Sequence, residues 1–210
     1  MKVENMEQRT MSLEIRSTDV ENRKLVGYAA TFKEEYTKLT DRWGEVFYER
    51  VRPGAFKKSL TERDVFMLIN HDWNKVVGRT GSNLVLEEDE NGLRFELDIP
   101  NTTDGNDLLE NVRNGLIQGC SFGFNIKNQT TRWDDNWTFY RDIDEVELFE
   151  VTATPIPAYA DTEISARSQL SIRDIKPAVG PKEEQQTEKD NNHERSAMLM
   201  SAFYNAFIQK

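Results

Sequence analysis

Residues 65–69 read Val65-Phe66-Met67-Leu68-Ile69, and they run directly into Asn70-His71-Asp72-Trp73. Five apolar residues in unbroken succession fit a strand buried on both faces, the mark of a sheet with cover on each side. Working outward, the same class of signal recurs. Leu13–Arg16 alternates, as does Lys24–Tyr28 with its apolar continuation into Phe32. Leu84–Leu86 and Leu93–Ile99 flank an acidic turn ending in Asn91-Gly92, a strong short hairpin signal. Ser121–Ile126, Trp137–Arg141 and Val146–Thr154 complete the strands. Two helices interrupt them: Pro53–Thr61, with proline in its first turn, and Asp104–Asn114, stopped by Gly115. Many short strands with few helices predict an α+β fold built on a mainly antiparallel barrel or sandwich, with the helices packed outside.

Composition divides the 210 residues into four stretches. Residues 1–11 are polar without apolar periodicity and read as a flexible leader. Residues 12–165 hold the strands and form the one domain that this length allows. Residues 166–195 read as a polar linker. From Lys176 to Arg195 the linker has almost no apolar residue and cannot offset its ordering entropy. Residues 196–210 carry Met, Leu and Phe at helical spacing and read as a short helix.

Several function classes drop out early. A net charge of −10 argues against general nucleic-acid or anionic-membrane binding. There is no apolar run long enough for a membrane span and no signal-peptide core near Met1, so the chain is expected to be soluble and intracellular where it is made. The single cysteine, Cys120, excludes an internal disulfide framework. One cysteine and two distant histidines, His71 and His193, do not make a zinc site, and no glycine-rich phosphate loop is present. No metal and no cofactor is therefore expected.

Three stretches carry candidate chemistry. His71 follows the buried run, where a neutral imidazole is held rigidly and can act as a base; taken alone, a capping histidine that satisfies nearby backbone groups is the favoured reading. Gly119-Cys120-Ser121-Phe122-Gly123-Phe124 sets two nucleophiles between glycines, which allow close backbone approach; a bulge or tight bend would also place glycine there. Neighbours on a strand face opposite ways. If Phe122 and Phe124 face the core, Cys120 joins them and Ser121 turns away with Gly123, which favours Ser121. In Val146–Thr154, alternation places Val146, Leu148, Glu150 and Thr152 on one face. Glu150 is then a carboxylate among apolar neighbours that needs a partner, either an imidazole or an arginine such as Arg79.

Taken in order, these segments resemble the caudovirus prohead serine protease family. The resemblance rests on Gly27–Phe32, Phe47 through Pro53-Gly54-Ala55-Phe56, Leu68–Asp72 followed by Gly78-Arg79-Thr80, Gly92–Phe95, Gly115 through Ser121–Phe124, and Leu148–Thr152 leading to Pro155 and Pro157-Ala158-Tyr159. It spans about Ser12 to Ile164. It implies a herpesvirus-protease-like β-barrel with surrounding helices, and a serine endopeptidase with Ser121 as nucleophile, His71 as base and Glu150 as the third member, with Glu147, Asp144 and Asp142 close by. It further implies action inside the assembling procapsid in the host cytoplasm. The expected partners are the major capsid protein precursor with its scaffold segment and other copies of the chain, with self-cleavage in the polar tail. Two alternatives stand beside it: a non-catalytic scaffold or assembly protein on the same barrel, and a cysteine peptidase using Cys120.

Overall fold

The computed structural model describes residues 6–11, 16–19, 22–155 and 170–177. The chain runs β1 (Glu7–Met11), β2 (Arg16–Asp19), β3 (Lys24–Thr31), β4 (Thr37–Thr40), β5 (Val46–Val51), α1 (Lys57–Glu62), β6 (Phe66–Ile69), β7 (Asp72–Arg79), β8 (Leu84–Glu88), β9 (Gly92–Asp98), α2 (Thr103–Arg113), β10 (Gly119–Trp133), β11 (Phe139–Thr154) and α3 (Ile172–Ile175). The expected strands at Trp137–Arg141 and Val146–Thr154 are one long strand, β11. The expected helix from Pro53 begins later. Gly54 takes φ +98°, and the Glu88 carboxylate accepts from the Gly54 and Phe56 N–H groups (2.6 and 3.0 Å), so a turn precedes α1. α2 is capped by Thr102, whose hydroxyl accepts from the Gly105 N–H at 3.2 Å, and Gly115 follows it at φ +69°.

Two sheets form. One has seven strands, in the order β1-β10-β11-β5-β4 with β6 and β7 joined through β11; the other has the order β2-β3-β9-β8. The fold is α+β and mostly strand, but among the described residues the expected closed barrel is not formed. The reason lies in β11, which pairs with β10 antiparallel and takes two parallel partners on its other side. β5 covers its first half (Phe139↔Phe47) and β6 its second (Glu150↔Phe66). Each of those branches ends in its own edge strand, β4 or β7, so the sheet does not return to β1. One apolar core gathers Leu25, Phe95 and Leu97 from the small sheet and Met67, Phe122 and Val151 from the large one. Phe56 stacks edge-on against Phe122 there (5.6 Å between ring centres).

Two departures from the expected domain limits follow from specific contacts. Glu7–Met11, expected within a flexible leader, pairs antiparallel with β10. Ile172, inside the expected linker, is buried against Leu39, Phe47 and Phe139, and its N–H donates to Asp41 Oδ2 at 2.9 Å. The rest of the linker, the helix expected at 196–210, and Pro157–Tyr159 lie outside the described residues.

Candidate active site

The strand β10 sorts its side chains as alternation predicts. Cys120, Phe122 and Phe124 enter the core, while Ser121 and Gly123 lie on the opposite face. On β11 simple alternation fails. Phe124 pairs with Leu148 and Gly123 with Glu150, so Phe149 is an extra residue and a bulge stands opposite Gly123. Val146 and Leu148 are in the core before the bulge; Val151 and Ala153 are in the core after it. The expected shared face of Val146, Leu148, Glu150 and Thr152 is therefore split. Glu150 and Thr152 pair with Gly123 and Ser121 and share their face instead. A bulge that re-aims one side chain places the carboxylate across from the serine strand.

His71 reaches the same face from the turn between β6 and β7. Asn70 and His71 take φ values of +53° and +58°, as the two central residues of a type I′ hairpin turn must. For non-glycine residues this conformation costs about 1 kcal/mol each. The turn is anchored to β11 twice: the Asn70 N–H donates to the Ala153 carbonyl (3.0 Å), and the His71 N–H to Thr152 Oγ1 (2.9 Å). Thus held, His71 Nδ1 lies 2.6 Å from Glu150 Oε1. The Glu150 side chain is fully buried and the imidazole is 19% exposed.

Burial pushes the Glu150 carboxyl above the usual carboxylate range, and the hydrogen bond and charge of His71 draw it part of the way back. Glu150 Oε2 has no hydrogen-bond partner among the described residues. Gly123 makes this geometry feasible, because a Cβ there would overlap Glu150 Oε1 and come within 2.8 Å of Met6 Sδ. Arg79, the alternative partner for Glu150, pairs with Asp64 instead (3.3 Å). The other nearby acids are engaged as well: Glu147 with Arg63 and Lys127 (2.9 and 2.7 Å), Asp142 with Arg50, and Asp144 with Thr130.

Ser121 is fully buried, and its hydroxyl donates to the Arg9 carbonyl of β1 at 2.6 Å. Cys120 is equally buried, on the core side. Burial, with the Glu150 charge nearby, pushes its thiol up to about 12, so it is not a thiolate at neutral pH. A cleft of about 310 Å³ opens at Asn70, lined also by Lys75, Asp107 and Leu116.

The structure thus joins His71 to Glu150 and sets Ser121 on the adjoining strand, directly across from Thr152. Sequence reading missed three participants: Thr152, the space reserved by Gly123, and the β1 carbonyl on Ser121. The first had a faint signal, since Thr152 lies two residues from Glu150 on one strand.

Among the described residues no cluster of three or more His, Cys, Asp or Glu could hold a metal ion, and no helix is long and apolar enough to cross a membrane. No curated protein and no solved structure matches the chain. Residues 11–176 match the caudovirus prohead serine protease family. That match takes in β10, the His71 turn and β11, and by it the chain belongs to the caudovirus prohead serine protease family.

Proposed function

We propose that the chain is the serine endopeptidase of a phage procapsid, with Ser121 as nucleophile, His71 as general base and Glu150 as the group that orients the imidazole. The observation that carries this reading is the hydrogen-bonded pair of His71 and the fully buried Glu150 on the face of the sheet that Ser121 occupies. A carboxylate on Nδ1 fixes the proton there and leaves Nε2 free to accept one. Ser121 Oγ then adds to the scissile carbonyl carbon as its proton passes to His71. The imidazolium, stabilised by Glu150, returns that proton to the departing amine, and the acyl–serine bond forms as the peptide bond breaks. Water, deprotonated by the same imidazole, releases the acid and restores the serine.

Family membership supports maturation of the procapsid as the setting. On this reading the substrates are the major capsid protein precursor, through its scaffold segment, and the chain's own polar tail from Lys176, and the reaction takes place in the host cytoplasm within the assembling shell. The family's expected herpesvirus-protease-like architecture belongs to the same proposal. A cysteine mechanism is disfavoured by the core position and raised pKa of Cys120.

The test is co-expression of the capsid precursor with wild-type chain, Ser121→Ala or Cys120→Ala, followed by gel analysis. Precursor should persist only with Ser121→Ala. Undiminished processing by that variant would return the chain to a scaffold or assembly role, or move the nucleophile elsewhere.

A further inference from the structure

β1 is a polar strand at the edge of the seven-stranded sheet, and its position is unusual. It runs antiparallel to the part of β10 that carries Ser121, with Thr10 opposite Ser121 and Gln8 opposite Gly123. Its Arg9 carbonyl accepts a hydrogen bond from the Ser121 hydroxyl. An extended peptide bound to a protease commonly adds itself to such an edge, so β1 stands where a substrate strand would stand.

Besides its backbone pairing with β10, β1 is held by a buried cluster of charges. Glu7 and Arg9 project to one side and meet Glu49 of β5 and Arg141 of β11, and all four are nearly inaccessible to water. Arg9 Nε is 2.6 Å from Glu49 Oε1, and Arg9 also pairs with Glu7. Arg141 Nε donates to Glu49 Oε2 at 2.7 Å, and its NH2 group lies 3.2 Å from Glu7 Oε2. The Arg9 guanidinium also lies over the Phe124 ring, 5.4 Å from its centre. Two of the four charges travel with β1 and two remain with the sheet. When β1 departs, Glu49 and Arg141 can neutralise one another, so the site survives without its occupant. Any segment that replaces β1 with equal complementarity must present a carboxylate and, two residues later, a basic side chain.

We infer that the β10 edge, with Glu49 and Arg141, is a binding site for an extended peptide in which an acidic residue lies two positions before a basic one. β1 fills that site from within the chain and covers Ser121 until a segment of the same chemistry displaces it. The part concerning Ser121 rests on the nucleophile proposed above; the docking of the peptide does not.

Two full-chain variants and one peptide test this. In R9E, three carboxylates would face Arg141 alone, and β1 should leave. A fluorophosphonate probe should then modify Ser121 at least tenfold faster than in the wild type. A fluorescein-tagged peptide of residues 4–13 should bind R9E by anisotropy and slow that modification, whereas the same peptide with Glu7 and Arg9 exchanged should do neither. In M11C, residue 11 lies opposite the native Cys120, so oxidation can tie β1 to β10. With the bond verified by mass spectrometry, modification of Ser121 should fall at least tenfold and recover on reduction. Equal modification of tied and reduced M11C, or failure of the 4–13 peptide to bind a folded R9E chain, would overturn the proposal. If R9E does not fold, the M11C comparison decides. If the peptide binds but no chain is modified at Ser121, the docking site stands and the nucleophile assignment falls.

Discussion

Two buried charge sites flank β10, and they are built on opposite terms. The Glu7–Arg9–Glu49–Arg141 group has two charges of each sign, all paired. Burial alone would raise the Glu49 carboxyl, but Arg9 and Arg141 outweigh it and hold it below the usual range. At the His71–Glu150 pair burial prevails: the Glu150 carboxyl is raised, and one of its oxygens lacks a hydrogen-bond partner among the described residues. The first arrangement satisfies its charges in the resting fold. The second leaves a carboxylate under-satisfied beside a mostly buried imidazole, poised to gain when that imidazole becomes positive. A fully paired cluster is what structure requires; an under-satisfied pair is what proton transfer can use.

The contrast can be broken at either end. The largest effect should come from His71→Ala, which ought to cut peptide-bond turnover by about 10⁴-fold or more with the fold retained by circular dichroism. Loss of less than tenfold would place the base elsewhere. Glu49→Gln should act on stability, by about 3–5 kcal/mol in denaturant unfolding, because it breaks a buried pair and leaves two guanidinium groups short of an anion.

The two sites should also respond to pH with opposite sign. The depressed Glu49 carboxyl contributes stability that is present above the unfolded value of about 4.3 and is lost as pH falls through its folded value. The melting gap between wild type and Glu49→Gln should therefore close on acidification. The raised Glu150 carboxyl binds its proton more tightly folded than unfolded. Its contribution is present below about 4.3 and is lost as pH rises through the folded value. Glu150→Gln should gain in melting temperature relative to wild type as pH rises. The reverse trend in either series would show that the charge balance is misread.

Smaller effects test the packing between the sites. Gly123→Ala forces its methyl group against Glu150 Oε1 and should reduce turnover about tenfold or more, with only modest loss of stability. Cys120→Ala empties a small volume of core and should cost about 1–2 kcal/mol while leaving turnover within about twofold.

Much of this was legible in the sequence, and the gaps have physical causes. The run Val65–Ile69 announced the strand that carries His71 to its place, and alternation along Gly119–Phe124 separated Ser121 from Cys120. Apolar surroundings marked Glu150 as a carboxylate in need of a partner and the family resemblance implied it as the third member, yet simple alternation put it on the wrong face. The bulge at Phe149 corrects that, and bulges depend on pairing with a distant strand that no local pattern reveals. The barrel expectation failed likewise, because the parallel pairing of β11 with β5 and β6 is set by the crossovers between them. β1 was invisible for a third reason. Glu-Gln-Arg-Thr-Met reads as solvated chain until Glu49 and Arg141 are known to face it, and they lie 40 residues or more along the sequence.

The most direct test of the serine mechanism is to treat the folded chain with a fluorophosphonate probe and map the adduct by tandem mass spectrometry. We expect one adduct, on Ser121, absent from His71→Ala and unaffected by Cys120→Ala. An adduct on another residue, or undiminished capture at Ser121 without His71, would contradict the assignment of Ser121, His71 and Glu150 as one catalytic unit.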